Sequence, residues 1–242
     1  MRILALDTST DIGSVAVLED ELLLAETAIC KKRAQLVWLI PAIEQMLAGL
    51  SLRPSDMDGI AVGEGPGFFT GIRLAVSTAK TLAQVLGIPV IGIGTLDAMA
   101  FNAVAHRGTL CPFLDARRNE VFSALYRSDS HRILRLSELK TFAPAELVRK
   151  INETKEPVVM LGIGTPHDDQ IKKALTVPFT WVPPVLSVPR AAAIGHLARL
   201  SIHGYQPEDF CRLQPVYLRK SEAERNWEQK EAGRPGLRRS TG

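Results

Sequence analysis

The chain has 242 residues, 46% of them hydrophobic and 23% charged, the balance of an ordinary globular protein rather than a disordered or fibrous one. Its formal net charge is +3, and the stretch from Arg219 to Gly242, with seven basic and four acidic residues, carries the whole excess. A neutral body argues against a nucleic-acid groove, which needs clustered Lys and Arg.

Three widely spaced cysteines, Cys30, Cys111 and Cys211, indicate neither a zinc knuckle nor a disulfide framework, and free thiols suit a reducing cytosol. No apolar run reaches transmembrane length, and the residues before Asp7 are too few for a signal peptide. A cytoplasmic protein is expected.

In chain order, Ile3 to Leu6 predict a strand, Asp7 to Asp11 a turn, and Val15 to Leu18 a second strand. A third, near Glu21 to Ile29, completes a meander. A helix over 34–50 follows, with Leu36, Leu39, Ile40, Ile43, Met46 and Leu47 at helical spacing. Pro41 inside it removes a backbone bond, at ~3 kcal/mol in a straight helix, so a kink or a late start is expected. Trp38 and Gln45 lie off that stripe. An off-stripe tryptophan is either a partner contact or a ring folded over the edge of the core. Gly59 to Gly63 reads as a buried strand. The helix over 70–86 has Thr70 as its N-cap and stops at Gly87, before Ile88-Pro89. Ala75, Thr78, Ala79 and Ala83 give it small-residue faces. A strand at 89–93 and a helix at 96–105 follow.

The pattern then restarts. LCPFLDARRNEVFSALYR is again strand, Asp, turn, strand, so Asp7 and Asp115 hold equivalent places in two hairpins. This duplication predicts two related lobes, each opening with a hairpin whose Asp points toward the other. Residues 158–166 predict a strand ending in Gly162 and Gly164, and 188–204 a helix. The charged stretch beyond Arg219, with Gly and Pro, predicts disorder.

Between strand and helix lies GEGPGFFTGIR, residues 63–73. A phosphate cradle needs backbone N–H groups converging at a helix N-terminus, and this loop has that position. It matches neither phosphate template. Ile72 stands where a Walker loop needs Lys, and Phe68 and Thr70 stand where the dinucleotide fingerprint needs its third glycine. The competing reading is a backbone fitting that turns a strand sharply into a helix. Asp7-Thr8-Ser9-Thr10 suits magnesium and phosphate, or an Asx-type turn. Asp115-Ala116-Arg117-Arg118 suits an anion, or a solvated hairpin tip. His167-Asp168-Asp169 is a loop triplet of a kind that seldom binds metal. The five histidines show no HxxxH or HExxH spacing.

ILALDTST, GPGFFTGIRLA, IGIGTLDAMA, LDARRNEVFSALY and PVYLRKSEAE, in this order and spacing, resemble the bacterial tRNA threonylcarbamoyladenosine biosynthesis family TsaB over residues 1 to about 222. The resemblance implies an α/β fold of two lobes, of the actin, sugar kinase and Hsp70 type. It implies a first lobe at 1–105 carrying partner-binding helices and a second at 106–218, with the 188–204 helix crossing back, and then a flexible tail at 219–242. It also implies a non-catalytic companion of the paralogue TsaD, which transfers threonylcarbamoyl to N6 of the adenosine beside the tRNA anticodon, together with the ATPase TsaE. Contact with tRNA is then indirect, and the chain alone pairs with a second copy. In TsaD the segment matching Gly94 to Ala100 carries an HxxxH metal pair; here it has no histidine, so no catalytic metal is expected. The family's His-Ser-Glu stretch is here Lys31-Lys32-Arg33-Ala34-Gln35.

On this resemblance the partner face holds Leu36, Trp38, Gln45, Arg73, Ala75, Thr78, Ala79 and Leu82. A vestigial nucleotide or anion site holds Asp7, Thr8, Thr10, Gly65, Gly67, Thr70, Asp115 and Arg117. No cofactor is expected beyond a nucleotide at a partner interface. A kinase or ATPase of this fold, using Asp7, Thr8, Thr10 and Asp115, lacks a Lys in either turn. A metallopeptidase, an older label for the superfamily, lacks the HxxxH pair. A lone tRNA-binding module has only the basic tail to support it.

Overall fold

The computed structural model describes residues 1–31, 34–206 and 208–219. The tail beyond Arg219, expected to be disordered, and the Lys32-Arg33 pair lie outside the described residues.

β1 (Arg2–Asp7), β2 (Ile12–Glu19) and β3 (Leu22–Cys30) form the predicted meander. There follow α1 (Gln35–Gly49), β4 (Gly59–Gly65), α2 (Phe69–Leu86), β5 (Val90–Gly94) and α3 (Thr95–Phe101). The second half brings β6 (Gly108–Arg117), β7 (Glu120–Ser123), β8 (Tyr126–Ser128), β9 (Ile133–Arg135), β10 (Lys140–Phe142) and α4 (Pro144–Glu153). It closes with β11 (Val158–Gly162), α5 (Asp168–Ala174), β12 (Phe179–Trp181), α6 (Ala191–Ala198) and α7 (Asp209–Arg212).

The first sheet runs β3-β2-β1-β4-β5 and the second β10-β7-β6-β11-β12, with β8 and β9 added beside β6. The two orders correspond position for position, each a hairpin-led meander joined to two parallel strands. The hairpin duplication in the sequence is therefore a duplication of the whole sheet.

The central strands are buried on both faces, which is why β1 and β4 read as continuous apolar runs. Leu4, Leu6, Val15, Val17, Ile60 and Val62 face α1 and α2. Ile3, Ala5, Ala16, Leu18 and Ala61 face the opposite way, onto α6 and part of α3. Alanines at the second face let α6 approach closely. A methyl on Gly195 would stand 2.3 Å from Leu18 Cδ1 and 3.2 Å from Ala5 Cβ. In the second lobe, α3 covers one face of the sheet and α4 and α5 the other. α3 and α6 thus lie between the two sheets.

Three helix boundaries differ from the sequence expectation. The helix expected at 188–204 spans only Ala191–Ala198. Pro189 has no N–H, Arg190 stays extended, and the N-terminus is capped from the sheet, by Ser14 Oγ accepting from Ala191 N (3.0 Å) and Glu26 Oε1 from Ala192 N (3.0 Å). The helix expected at 96–105 gives way to turns after Phe101. The second helix starts at Phe69, with Phe68 in the cap position and no side-chain cap bond; Thr70 is exposed and is not the N-cap. α1 runs unbroken through Pro41, whose ring is on the exposed side. Its buried stripe is narrower than expected, since Leu36 and Ile40 point outward.

The close seat of α6 sets a test. Gly195→Leu should lower unfolding stability by about 2–3 kcal/mol through overpacking. Gly49→Ala, whose methyl meets nothing within 4 Å, should be neutral or slightly stabilising. Urea unfolding of both variants measures this.

Candidate functional site: the hairpin cleft and the first helix face

The glycine loop lies directly on the β1–β2 turn. Phe68 N donates to Ser9 O (2.6 Å), and Thr8 Oγ1 donates to Gly71 O (2.6 Å). A methyl on Gly67 would stand 2.1 Å from Ser9 O, and one on Gly71 1.8 Å from Thr8 O. Gly65 has φ +111° and would meet Val216 O at 2.7 Å. These glycines are points of backbone contact within the chain.

Asp7 is completely buried at the turn. Its carboxylate accepts from Ser9 N (3.0 Å) and Ser9 Oγ (2.9 and 3.0 Å), an Asx-type arrangement. Oδ2 lies over Gly63, where a methyl would come within 1.9 Å. Burial pushes the carboxyl up to about 7, against the Ser9 hydrogen bonds that hold it down. Asp7 therefore does not point toward the other lobe, as the hairpin duplication suggests; its carboxylate is enclosed by its own turn.

A cleft of about 270 Å³ opens between the two hairpin tips. Ser9, Thr10, Asp11 and Phe68 line it from the first lobe, and Asp115, Arg117 and Thr165 from the second. Of the residues assigned from sequence to an anion site, Thr10, Gly67, Asp115 and Arg117 line it. Asp7, Thr8, Gly65 and Thr70 do not. Ser9, Phe68 and the 163–166 turn were missed. Ser9 sits inside the assigned run, and Gly164 after β11 is the second-lobe counterpart of the glycine loop after β4.

The second hairpin is locally tied. Asp115 Oδ1 accepts from Arg117 N (2.7 Å), and Arg117, Arg118 and Asn119 all have φ between 53° and 66°. Contacts of Arg117 and Arg219 bridge the lobes here. The Arg117 guanidinium lies 4.9 Å from the Phe68 ring centre. Arg219 Nη1 donates to the carbonyl of Ala116. Arg219 ends a segment that crosses the first lobe, where Val216 N donates to Glu64 O (2.7 Å) and Tyr217 stacks on Phe69 at 4.4 Å.

The residues assigned to a partner face divide. Ala75 and Ala79 are fully buried under α2 in the chain's own core and touch no partner, because the small-residue face that suggested helix contact packs on the first sheet. Leu82, Thr78 and Trp38 are half-buried, and the Trp38 ring covers Gly13. Arg73 is exposed, and its Nε donates to the Tyr217 hydroxyl (2.8 Å). Gln45 and Leu36 are exposed. Sequence reasoning missed Val37 (76% exposed) and placed Ile40 (46%) in the core; with Leu36 (57%) they form an apolar ridge along α1. Val85 of α2 is 79% exposed on the same side of the first sheet.

Two sheets of one strand order, with hairpin tips meeting at a cleft and helices between them, define the two-lobed class of actin and the sugar kinases. YeaZ from Pseudomonas aeruginosa has this fold at TM-score 0.73 and 24% identity, covering 90% of this chain and 99% of that one. A ROK hexokinase from Thermus thermophilus has it at TM-score 0.51 and 11% identity, covering 83% and 99%. A family model described as TsaD, tRNA N6-adenosine threonylcarbamoyltransferase, matches residues 29–227. The TsaB protein of Bacillus subtilis is 31% identical over 94% of this chain and 98% of its own length, and that of Haemophilus influenzae 30% identical over 90% and 94%. The chain belongs to the TsaB family of tRNA threonylcarbamoyladenosine biosynthesis proteins.

Two tests address the turn. Gly71→Ala should cost about 3 kcal/mol or more, since the obstacle is backbone rather than a movable side chain. A native carboxyl titrating near 7 holds a proton that the unfolded chain has released, so stability falls as pH rises from about 4 to 7. Asp7→Asn should remove that fall and gain on the order of 2 kcal/mol over wild type at pH 8. Denaturant melts across this pH range read both.

Proposed function

We propose that this protein acts in the formation of threonylcarbamoyladenosine in tRNA as a non-catalytic companion of the transferase paralogue TsaD, which docks on the α1–α2 side of the first lobe. The observation that carries this reading is the ridge of Leu36, Val37 and Ile40. Three large aliphatic side chains stand exposed together on one helix, with Val85 of α2 exposed on the same side of the sheet. Apolar surface of that kind is what a partner buries. Family membership supports the pathway, through curated relatives that are named for threonylcarbamoyladenosine biosynthesis.

The non-catalytic role has its own support. The turn where a kinase of this fold would hold magnesium and phosphate is closed on itself, with Asp7 bonded to Ser9 and the glycine loop seated on Thr8 and Ser9. Among the described residues, no three His, Cys, Asp or Glu side chains gather where they could hold a metal ion. The hairpin cleft sets hydroxyls and the Arg117 guanidinium beside the Asp11 and Asp115 carboxylates, and a nucleotide at the partner interface would meet both signs of charge there. The ATPase TsaE joins the assembly, tRNA is met through TsaD, and the same ridge pairs two copies when TsaD is absent. Among the described residues no helix is long and apolar enough to cross a membrane. A role on tRNA would put the protein in the cytoplasm.

Size-exclusion chromatography with light scattering, on the chain alone and mixed with TsaD, tests this. Wild type should form a heterodimer, and Val37→Glu with Ile40→Glu should weaken it by about 30-fold or more. A heterodimer of wild-type affinity from the double variant rejects the face. No complex from the wild-type chain rejects the companion role.

A further inference from the structure

A second cavity lies away from both the hairpin cleft and the α1–α2 side. It holds about 300 Å³, between the ends of β4 and β5, the start of α3, and the β8–β9 pair of the second lobe. Its first wall carries two carboxyl groups. A methyl built on Gly92 would stand 2.0 Å from Glu64 Oε2, and one on Gly94 2.1 Å from Asp97 Oδ2. Gly92 and Gly94 are alternate residues on one face of β5. The two carboxylates therefore stand over neighbouring positions of that face. Burial raises both carboxyls above the usual range, and the charge of Asp97 raises Glu64 further.

The opposite wall carries Tyr126 and Arg135. Tyr126 is 1% exposed, and its hydroxyl, within reach of Asp97 and Arg135, makes no hydrogen bond of good geometry with either. Among the described residues, no ion pair within 4.0 Å engages Glu64, Asp97 or Arg135. Buried polar groups normally have partners. Here the buried Tyr126 hydroxyl lacks one, at a cavity that two partly buried carboxyl groups and the exposed Arg135 guanidinium also line. The rest of the wall is apolar, with Ile93, Ile133 and Leu197.

We propose that this cavity binds a free aliphatic α-amino acid as its zwitterion. The ammonium sits between Glu64 and Asp97 and gives its third N–H to the Tyr126 hydroxyl. The carboxylate meets Arg135, and the side chain lies against Ile93, Ile133 and Leu197. A divalent cation fits less well. Two carboxylates are fewer oxygens than such an ion takes, and Arg135 opposes added positive charge. A simple anion meets two carboxylates.

Titration of the full chain, read by amide NMR shifts and calorimetry, tests the site. The probes are L-valine, isobutylamine, which lacks its carboxylate, and isovalerate, which lacks its ammonium. L-Valine should bind saturably with shifts centred on Gly92 and Gly94, and both fragments should bind about tenfold or more weakly. Arg135→Gln should weaken L-valine by about tenfold and leave isobutylamine unchanged. Glu64→Gln should weaken both, and Tyr126→Phe, which removes one oxygen, should weaken L-valine several-fold. Absence of saturable L-valine binding overturns the proposal. So does displacement of L-valine by magnesium or calcium chloride, or wild-type affinity in Arg135→Gln. The Val37→Glu, Ile40→Glu protein should bind L-valine normally, so this proposal and the docking face stand or fall separately.

Discussion

The seat of the glycine loop on the β1–β2 turn is the constraint from which the first lobe follows. Two backbone carbonyls, Thr8 O and Ser9 O, occupy the volume that side chains at Gly71 and Gly67 would need. Phe68 N and Thr8 Oγ1 close the contact with hydrogen bonds. With α2 held there at its first turn, its small face is pressed onto the sheet, and its other side is left outward beside α1. The same contact encloses Asp7. A carboxylate that would need water or a cation to stay charged is instead held by a serine and raised toward neutrality. One packing event therefore places the helices and closes the turn.

The second lobe repeats the strand order without repeating this seat. Its hairpin tip is open, with three consecutive residues at positive φ and Asp115 tied to Arg117, through the amide at 2.7 Å and the guanidinium at 3.8 Å. The glycine after β11 leads into the short α5 rather than a long helix. The cleft between the tips is thus asymmetric, with a closed wall of Ser9, Thr10 and Phe68 facing a looser wall of Asp115, Arg117 and Thr165. Duplicated architecture has been kept where it builds the core and relaxed where it meets the cleft.

How much of this was legible in the sequence depends on the range of the forces involved. The repeated strand–Asp–turn–strand pattern is local, and it foretold two sheets of one order. Apolar spacing likewise gave the long helices. Side-chain direction was not local. Ala75 and Ala79 look like a docking stripe because small residues serve close approach to any surface, and only the fold shows that the surface is the chain's own sheet. Asp7 and Asp115 share a sequence position, but one is buried by a loop more than fifty residues on and the other is not. The ends of α6 were misread because its N-terminus is capped by Ser14 and Glu26, from strands at the far end of the chain. The cavity walled by Glu64, Asp97, Tyr126 and Arg135 leaves no motif, since its members come from four elements in two lobes.

The segment that ends at Arg219 has a mechanical meaning. It is fastened to the first lobe through Val216 and Tyr217 and to the tip of the second hairpin through Arg219. A two-lobed molecule works as a machine when its halves can swing about the line between them. Here the two hairpin tips are laced together at the cleft. Any opening stroke must first pull Arg219 from the Ala116 carbonyl and slide Arg117 off Phe68. Lobe opening therefore costs a charged hydrogen bond and a ring contact at the same time.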